Sequence, residues 1–486
     1  MPAQTLPKDD DPDSPILTLD SFPDTGTPIH SKKSGYDLFA LMRSPKHVVA
    51  PMVDQSELPW RILSRRYDSH LVYTPMINAR QFTSKIKAKG PNSHTEFWIP
   101  EKVESQEEGR ASLTNDEGEF GSDRPLIVQF AGHEPDTLLA AAQAVEEHCD
   151  AVDLNLGCPQ DIARRGHYGS FLQSDWQLIF RLINKLHINL RIPVTAKMRV
   201  FESTERTVAY ALMMERAGAQ MITVHGRTRE MKGHKTGLAD WKKIKAVKQA
   251  VKVPVFANGN ILFREDVESA IKATGADGVM SAEGNLYNPA MFAETPREST
   301  PLYPLAPIYP FPRLTMLIEE YLGICDRLET PTRASAIKGH LFRLARPALE
   351  VHRDLRPILG KCTIVPSGKG KERHEQFYSF AKQLCELLEK DEKDEFFSSQ
   401  LSCKSVQFES KEGEEPRYIP HWLAQPYYRK TLPPVDEGEE AKQARREKRK
   451  QRVEQTEGLV GIDDFQTRGD DAMKDEGNAD KRLRVG

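Results

Sequence analysis

The stretch Ala151-Val152-Asp153-Leu154-Asn155-Leu156-Gly157-Cys158-Pro159 reads as a short apolar strand that ends on a thiol. Gly157 admits backbone angles closed to other residues, and Pro159 fixes its own φ and stops the strand from continuing. The thiol of Cys158 is thereby held on a rigid loop just past a strand end. Asn155, shortly before it, can both donate and accept hydrogen bonds. Gly166-His167-Tyr168-Gly169-Ser170 follows as a flexible hinge beside the thiol. A lone cysteine in a turn is most often a small buried apolar residue. What marks this one as a catalytic thiol is its place in a larger array of strand ends.

On both sides of this stretch, apolar runs alternate with helical patterns. Upstream the strands are Val48–Val53, Leu71–Met76 and Leu126–Ala131; downstream they are Pro193–Arg199, Met221–Gly226, Val253–Gly259 and Gly278–Ala282. Helices are expected over Glu57–Tyr67 with Pro59 in its first turn, from Pro135, from a capping box at Ser174-x-x-Gln177, and over Thr204–Ala217, Asp240–Ala250 and Glu265–Thr274. Eight such strands within about 240 residues form the pattern of an α/β fold, a (β/α)8 TIM barrel. The strands are near-continuously apolar, as burial of both faces of a parallel sheet requires. No Gly-x-Gly-x-x-Gly follows the first strand, which argues against a dinucleotide-binding open sheet.

The 486 residues leave room for more than a barrel. Residues 1–45 read as a disordered leader, with a short helix near Tyr36–Met42, and residues 46–293 as the barrel. A charged insertion, 84–124, interrupts it; within 101–124 eight acids stand against three bases, as in a mobile surface excursion. The Pro-rich residues 294–312 are a linker. A smaller all-α domain follows over 313–391, with helices expected at Arg313–Leu328, Arg333–Val351 and Glu375–Lys390. From Arg333 to His374 there are ten Lys and Arg against three acids, an excess that fits a polyanion partner. Residues 392–486 read as an extended, largely disordered basic tail. In it the aromatic, Pro-rich Arg417–Arg429 is expected to drape over the barrel. Lys442–Arg452, with seven bases and one acid, resembles a nucleic-acid-binding arm or an import signal.

Composition sets limits. With 38% hydrophobic and 29% charged residues the chain reads as soluble and globular with polar tails, and at a net charge of −3 any nucleic-acid contact must come from local patches. Six widely spaced cysteines include no Cys-x-x-Cys pair and no Cys/His set with zinc-finger spacing. Free thiols in a reducing compartment, and no metal, are expected. No apolar stretch reaches the ~18–20 residues of a membrane span, and Met1–Pro15 is acidic and Pro-rich. The expectation is a monomer in the cytoplasm, the nucleus or both, without membrane contact.

In such barrels chemistry gathers at the C-terminal ends of the strands. There the sequence puts Pro51-Met52-Val53, Gln129, Asn155 with Cys158, Lys197 with Arg199, His225, Asn258-Gly259-Asn260 and Ala282-Glu283. A lysine inside the apolar run Val194-Thr-Ala-Lys197-Met-Arg199 needs an anionic or electron-rich partner.

The segment Asp153-Leu-Asn-Leu-Gly-Cys-Pro-Gln160, with Arg164-Arg165-Gly166 behind it, resembles the signature of the tRNA-dihydrouridine synthases. Ala50-Pro-Met-Val-Asp-Gln-Ser-Glu-Leu-Pro-Trp-Arg61, with Thr74-Pro-Met76, resembles the eukaryotic subgroup that acts on uridines 16 and 17 of the tRNA D-loop. The likeness spans roughly residues 46–360. It implies an FMN enzyme that takes electrons from NADPH or NADH and reduces uridine in tRNA. By resemblance, Pro51, Met52, Val53, Gln129, Lys197, His225, Asn258, Asn260, Ala282 and Glu283 would contact FMN, the Gly259 turn would offer backbone N–H groups to its phosphate, and Cys158 would give a proton to uracil C5. Asn155 and Arg199 would bind the uracil carbonyls, and the basic helical domain would grip tRNA phosphates. Many members of the family have Gly-Arg where this chain has Ala282-Glu283; a phosphate contact through backbone N–H survives that change, and one through the arginine does not. Two other readings stay open: an FMN barrel that reduces a small molecule, as dihydroorotate dehydrogenases do, and a tRNA-binding barrel without activity.

Overall fold

The structure, a computed structural model, describes residues 19–89, 123–233, 236–293, 311–328, 331–393 and 419–427. Nine strands make one sheet in which every pairing is parallel: β1 (His47–Val49), β2 (Leu71–Tyr73), β3 (Ile77–Asn78), β4 (Leu126–Ala131), β5 (Ala151–Leu156), β6 (Val194–Arg199), β7 (Ile222–His225), β8 (Val255–Asn258) and β9 (Gly278–Ser281). β1 pairs with β2 and with β9, β2 pairs with β4, and β4 to β9 follow in chain order, so eight strands close into a barrel. Closure removes the unpaired edges that an open sheet would expose. The strand expected as Leu71–Met76 is split: Pro75 has no N–H for the ladder, and the chain resumes as β3, with Ile77 opposite Phe130.

Helices cover the outside: α1 (Gly35–Leu41), α2 (Leu58–Arg66), α3 (Ala79–Lys89), α4 (Pro135–Gln143), α5 (Asp161–Arg165), α6 (Trp176–Asn189), α7 (Thr204–Ala217), α8 (Trp241–Ala250), α9 (Arg264–Thr274) and α10 (Glu283–Tyr287). The capping box expected at Ser174 does not form; Asp175 caps α6, its carboxylate accepting from Leu178 N–H. The opening of the expected 84–124 insertion is helical, as part of α3, and residues 90–122 lie outside the described residues, as do the acidic stretch they contain and the Lys442–Arg452 run. The expected disordered leader is packed from Leu19 onward: Phe22 is buried and stacks on Phe180 at 5.5 Å, and Lys32 Nζ donates to the carbonyls of His187 and Leu190 at the C-terminal end of α6.

After the barrel come α11 (Leu314–Arg327), α12 (Ala334–Leu344), α13 (Arg346–Val351), α14 (Leu355–Lys361) and α15 (Glu375–Lys393). The single helix expected over Arg333–Val351 is two, because Pro347 cannot continue the hydrogen bonding of α12 and instead opens α13. These helices share a core with α2, in which Trp60 and Leu63 meet Leu317, Tyr321, Ile337, Leu341 and Phe377. Polar contacts pin the same seam. A Glu57 carboxylate oxygen lies 2.9 Å from His340 Nε2 and accepts from Tyr321 Oη at 2.7 Å, and Arg343 donates to Gln55 Oε1 at 2.8 Å. Burial works against the Glu57 charge, but His340 and Tyr321 outweigh it and hold its carboxyl below the usual range.

Of the stretch expected to drape over the barrel, the described residues 419–427 form a strap with Ile419, Leu423 and Ala424 buried. Its backbone bonds to both sides of Arg313, through Leu314 N–H to Trp422 O and Ala424 N–H to Pro312 O. Among the described residues no helix is long and apolar enough to cross a membrane.

Candidate active site at the barrel mouth

Register decides which side chains meet. Gln129 lies opposite Asp153, Asp153 opposite Thr195, Asn155 opposite Lys197, Arg199 opposite His225, and His225 opposite Asn258. Side chains alternate along each strand, so Asp153 and Asn155 share a face. They carry a continuous hydrogen-bond chain. Thr195 Oγ1 donates to Asp153 Oδ1 and Gln129 Nε2 to Asp153 Oδ2, both at 2.7 Å. Asn155 Nδ2 donates to Gln129 Oε1 at 2.7 Å. Asn155 Oδ1 then accepts from the backbone N–H groups of Gly157 at 3.1 Å and Cys158 at 3.0 Å. The thiol loop is thus tied, bond by bond, to a carboxylate in the floor of the barrel.

Further contacts hold the loop from outside. Ser170 donates to Cys158 O through its N–H at 3.1 Å and its Oγ at 2.9 Å. Arg199 Nε donates to Gly157 O at 2.8 Å, and its Nη1 donates to Thr228 O at 2.7 Å and to Met231 O at 3.2 Å. Lys232 Nζ donates to Pro159 O at 2.7 Å. Cys158, with Met76 and Phe171, packs against a small cluster of Ala131, Ala163 and Tyr168. Gly169 closes this arrangement at φ +68; a Cβ there would lie 2.7 Å from Cys158 O and 2.9 Å from Cys158 Cβ. Gly169→Ala is therefore expected to cost roughly 1–3 kcal/mol of stability from backbone strain and to displace the thiol. A thermal melt and the reactivity of Cys158 toward a thiol reagent measure the two effects.

Electrostatics tune the groups that reach the mouth. Burial raises the Cys158 thiol above its ordinary value, while a backbone bond at Gln160 and the charges of Arg199, Lys197 and Lys232 pull it partly back. The thiol stays protonated at neutral pH. Lys197 is pushed down to about 8 by burial and by Arg199, with Asp153 and Cys158 opposing. Among the described residues its one hydrogen bond is to Asn258 Oδ1 at 3.0 Å, which leaves two ammonium donors unspent there. His225 is held well below the usual histidine range by burial and by Lys197, Arg199 and Arg227, so it is neutral; Arg227 Nη1 donates to its Nε2 at 3.2 Å. Asp153 is raised to about 6, chiefly by burial.

The structure sorts the residues singled out in the sequence into two sets. Cys158, Lys197 and His225 are partly exposed at the mouth. So are Pro51, Met52, Asn260, Ala282 and Glu283, on the loops after β1, β8 and β9, which are neighbours in the barrel; Val53 is 49% exposed. Gln129, Asn155, Arg199, Asn258 and Gly259 are buried. Gln129 and Asn155 spend both ends of their amides within the chain, and Arg199 braces the loop, so these three act as supports. A uracil contact by Asn155 has to displace one of its bonds. Sequence reasoning missed Asp153, Thr195, Arg227 and Lys232, and it read Tyr168 and Ser170 only as part of a flexible hinge, whereas Ser170 bonds twice to the thiol loop. Of the four missed, only Asp153 left a signal, its place on the Asn155 face of an apolar strand.

A family model described as Dihydrouridine synthase (Dus) matches residues 48–356. A tRNA-dihydrouridine(16/17) synthase of Saccharomyces cerevisiae is 43% identical over 405 residues, 82% of this chain and 87% of that protein. A tRNA-dihydrouridine(16/17) synthase-like protein of Mus musculus is 40% identical over 402 residues, 82% of this chain and 71% of that protein. A tRNA-dihydrouridine(20a/20b) synthase-like protein of Homo sapiens is 37% identical over a shorter 258 residues, 52% of this chain and 72% of that protein.

Proposed function

The chain belongs to the dihydrouridine synthase family, and from that membership we propose that it reduces the C5–C6 double bond of uracil at positions 16 and 17 of tRNA, with FMN as its bound cofactor and NADPH or NADH as reductant. The observation that carries this reading is a protonated thiol, fixed by its backbone on a strand-end loop, beside a lysine with two unspent donors at the mouth of a parallel barrel.

That donor set fits a flavin. Lys197 suits the electron-rich edge of the ring. Pro51, Met52 and Val53 supply apolar surface, and the Asn258-Gly259-Asn260 turn with Ala282 and Glu283 supplies backbone N–H groups for a phosphate. A flavin held by these residues would supply the hydride for uracil C6, with NADPH or NADH as the source of its electrons. Cys158 gives its proton to C5 as general acid. The thiolate left behind is stabilised by the charges of Arg199, Lys197 and Lys232, the groups that already favour it, and regains a proton from solvent. Asn155, Gln129 and Asp153 keep the thiol in place throughout. The target base has to leave its stack for a ring face to become reachable, as in other enzymes that work on bases. A grip on phosphates by the helical region makes tRNA affinity fall steeply with salt.

Two results test the cofactor. Denaturing the purified yellow protein should release FMN rather than FAD. The FMN-depleted chain should rebind FMN best below pH ~8. Binding favours protonated Lys197, so affinity falls as pH rises through its value of about 8. An affinity that rises or stays flat from pH 7 to 9 removes Lys197 from the flavin contact. A colourless protein that binds no FMN overturns the cofactor assignment.

A further inference from the structure

The geometry points to a divalent transition-metal site, of the kind zinc fills, that clips the strap 419–427 to the helical domain. Its ligands are His352 at the C-terminal end of α13, Asp391 on α15 and His421 on the strap. His352 Nε2 lies 2.7 Å and His421 Nε2 lies 2.8 Å from the same oxygen, Asp391 Oδ2. All three ligand atoms fall within 4.8 Å of one another. Ligands of a tetrahedral zinc with bonds of about 2.0–2.2 Å stand roughly 3.3 Å apart, so both imidazole nitrogens have to draw back from Asp391 Oδ2 by about half an ångström to seat the ion.

Three features favour a metal over a plain hydrogen-bonded trio. Both imidazoles aim at one point, although the carboxylate has a second oxygen. The site is largely closed, with Asp391 7% and His421 3% exposed. The ring of Trp422 lies edge-on to His421 at 5.0 Å. Two imidazoles and a carboxylate are the donor set that three-ligand zinc sites use, with water in the fourth position. The sequence reading, which looked for closely spaced Cys and His, expected no metal. These ligands come from three separate segments that only the tertiary fold brings together.

The place of the site gives it a task. The strap crosses from the helical core, which Ala424 joins, to the barrel, where Tyr427 meets Tyr287 at 5.8 Å. A metal at His421 anchors the end of the strap that reaches α13 and α15, and with it the seating of the helical domain on the barrel.

The test uses the full-length chain stripped of metal by a chelator and titrated with zinc chloride alone. We expect one Zn2+ per chain that is absent from His352→Gln and from Asp391→Asn, and a melting temperature raised by several degrees in wild type only. Asp391→Asn separates the two readings, since an amide oxygen still accepts from both imidazoles but binds zinc poorly. Zinc uptake and melting shifts that are equal in wild type and both variants place the metal elsewhere and overturn the site. A wild-type chain that takes up no zinc overturns it too, leaving a hydrogen-bonded trio. If His352→Gln does not fold, the Asp391→Asn comparison decides alone.

Discussion

Cys158→Ala is expected to leave the fold and the flavin in place and to lower dihydrouridine formation by about 10²–10⁴-fold, the usual contribution of a positioned general acid. The loop depends little on the side chain, whose bond is to the backbone at Gln160. Its contacts run through the Cys158 N–H, which donates to Asn155 Oδ1, and the Cys158 carbonyl, which accepts from Ser170. Alanine keeps both. What it removes is the one proton donor that the loop carries to the mouth. Cys158→Ser should fare no better, because a hydroxyl is a far weaker acid than a thiol. Single-turnover reduction of tRNA, with the flavin absorbance read on the same samples, checks the prediction. Activity within a few-fold of wild type would take the thiol out of the chemistry, and loss of flavin in the alanine variant would make it a binding residue.

The second large effect has opposite signs for stability and function. Lys197→Met should melt higher than wild type while binding flavin at least tenfold more weakly. The pKa of Lys197 falls from 10.5 to about 8, because burial and Arg199 penalise its charge. Both values lie above neutral pH, so at pH 7 the native state carries that penalty in full. It amounts to at most about 3 kcal/mol and disappears only as pH rises past the unfolded value. Methionine fills a similar space without the charge. Part of the gain is lost again, since Asn258 Oδ1 and Asp153 lose a cationic neighbour. A melt at pH 7 and a flavin titration measure the two signs. A variant that is less stable and still binds flavin normally contradicts the account of this lysine.

The barrel was legible because strand burial imposes a pattern on neighbouring residues. Leu126–Ala131, Ala151–Leu156 and Thr204–Ala217 have the same bounds in sequence and structure. Errors arose where one residue overrode the pattern. Pro75 broke the second strand, Pro347 split a helix, and Asp175 took the cap expected of Ser174. In the site, the groups at the mouth could be read as polar residues at strand ends. Which of them would face the mouth and which would brace it could not, because that division depends on partners far along the chain. Arg199 looks the same in sequence whether its guanidinium meets a ligand or the carbonyls of Gly157, Thr228 and Met231. Lys232 left no local sign at all, since it reaches the Cys158 loop only through the fold.

The central claim is tested most directly by incubating the purified chain with NADPH and tRNA that lacks dihydrouridine, then mapping dihydrouridine at single-nucleotide resolution. The account predicts new signal at positions 16 and 17, absent when Cys158→Ala replaces the wild type. No signal anywhere from a yellow, flavin-loaded protein would contradict it and point to a substrate other than tRNA.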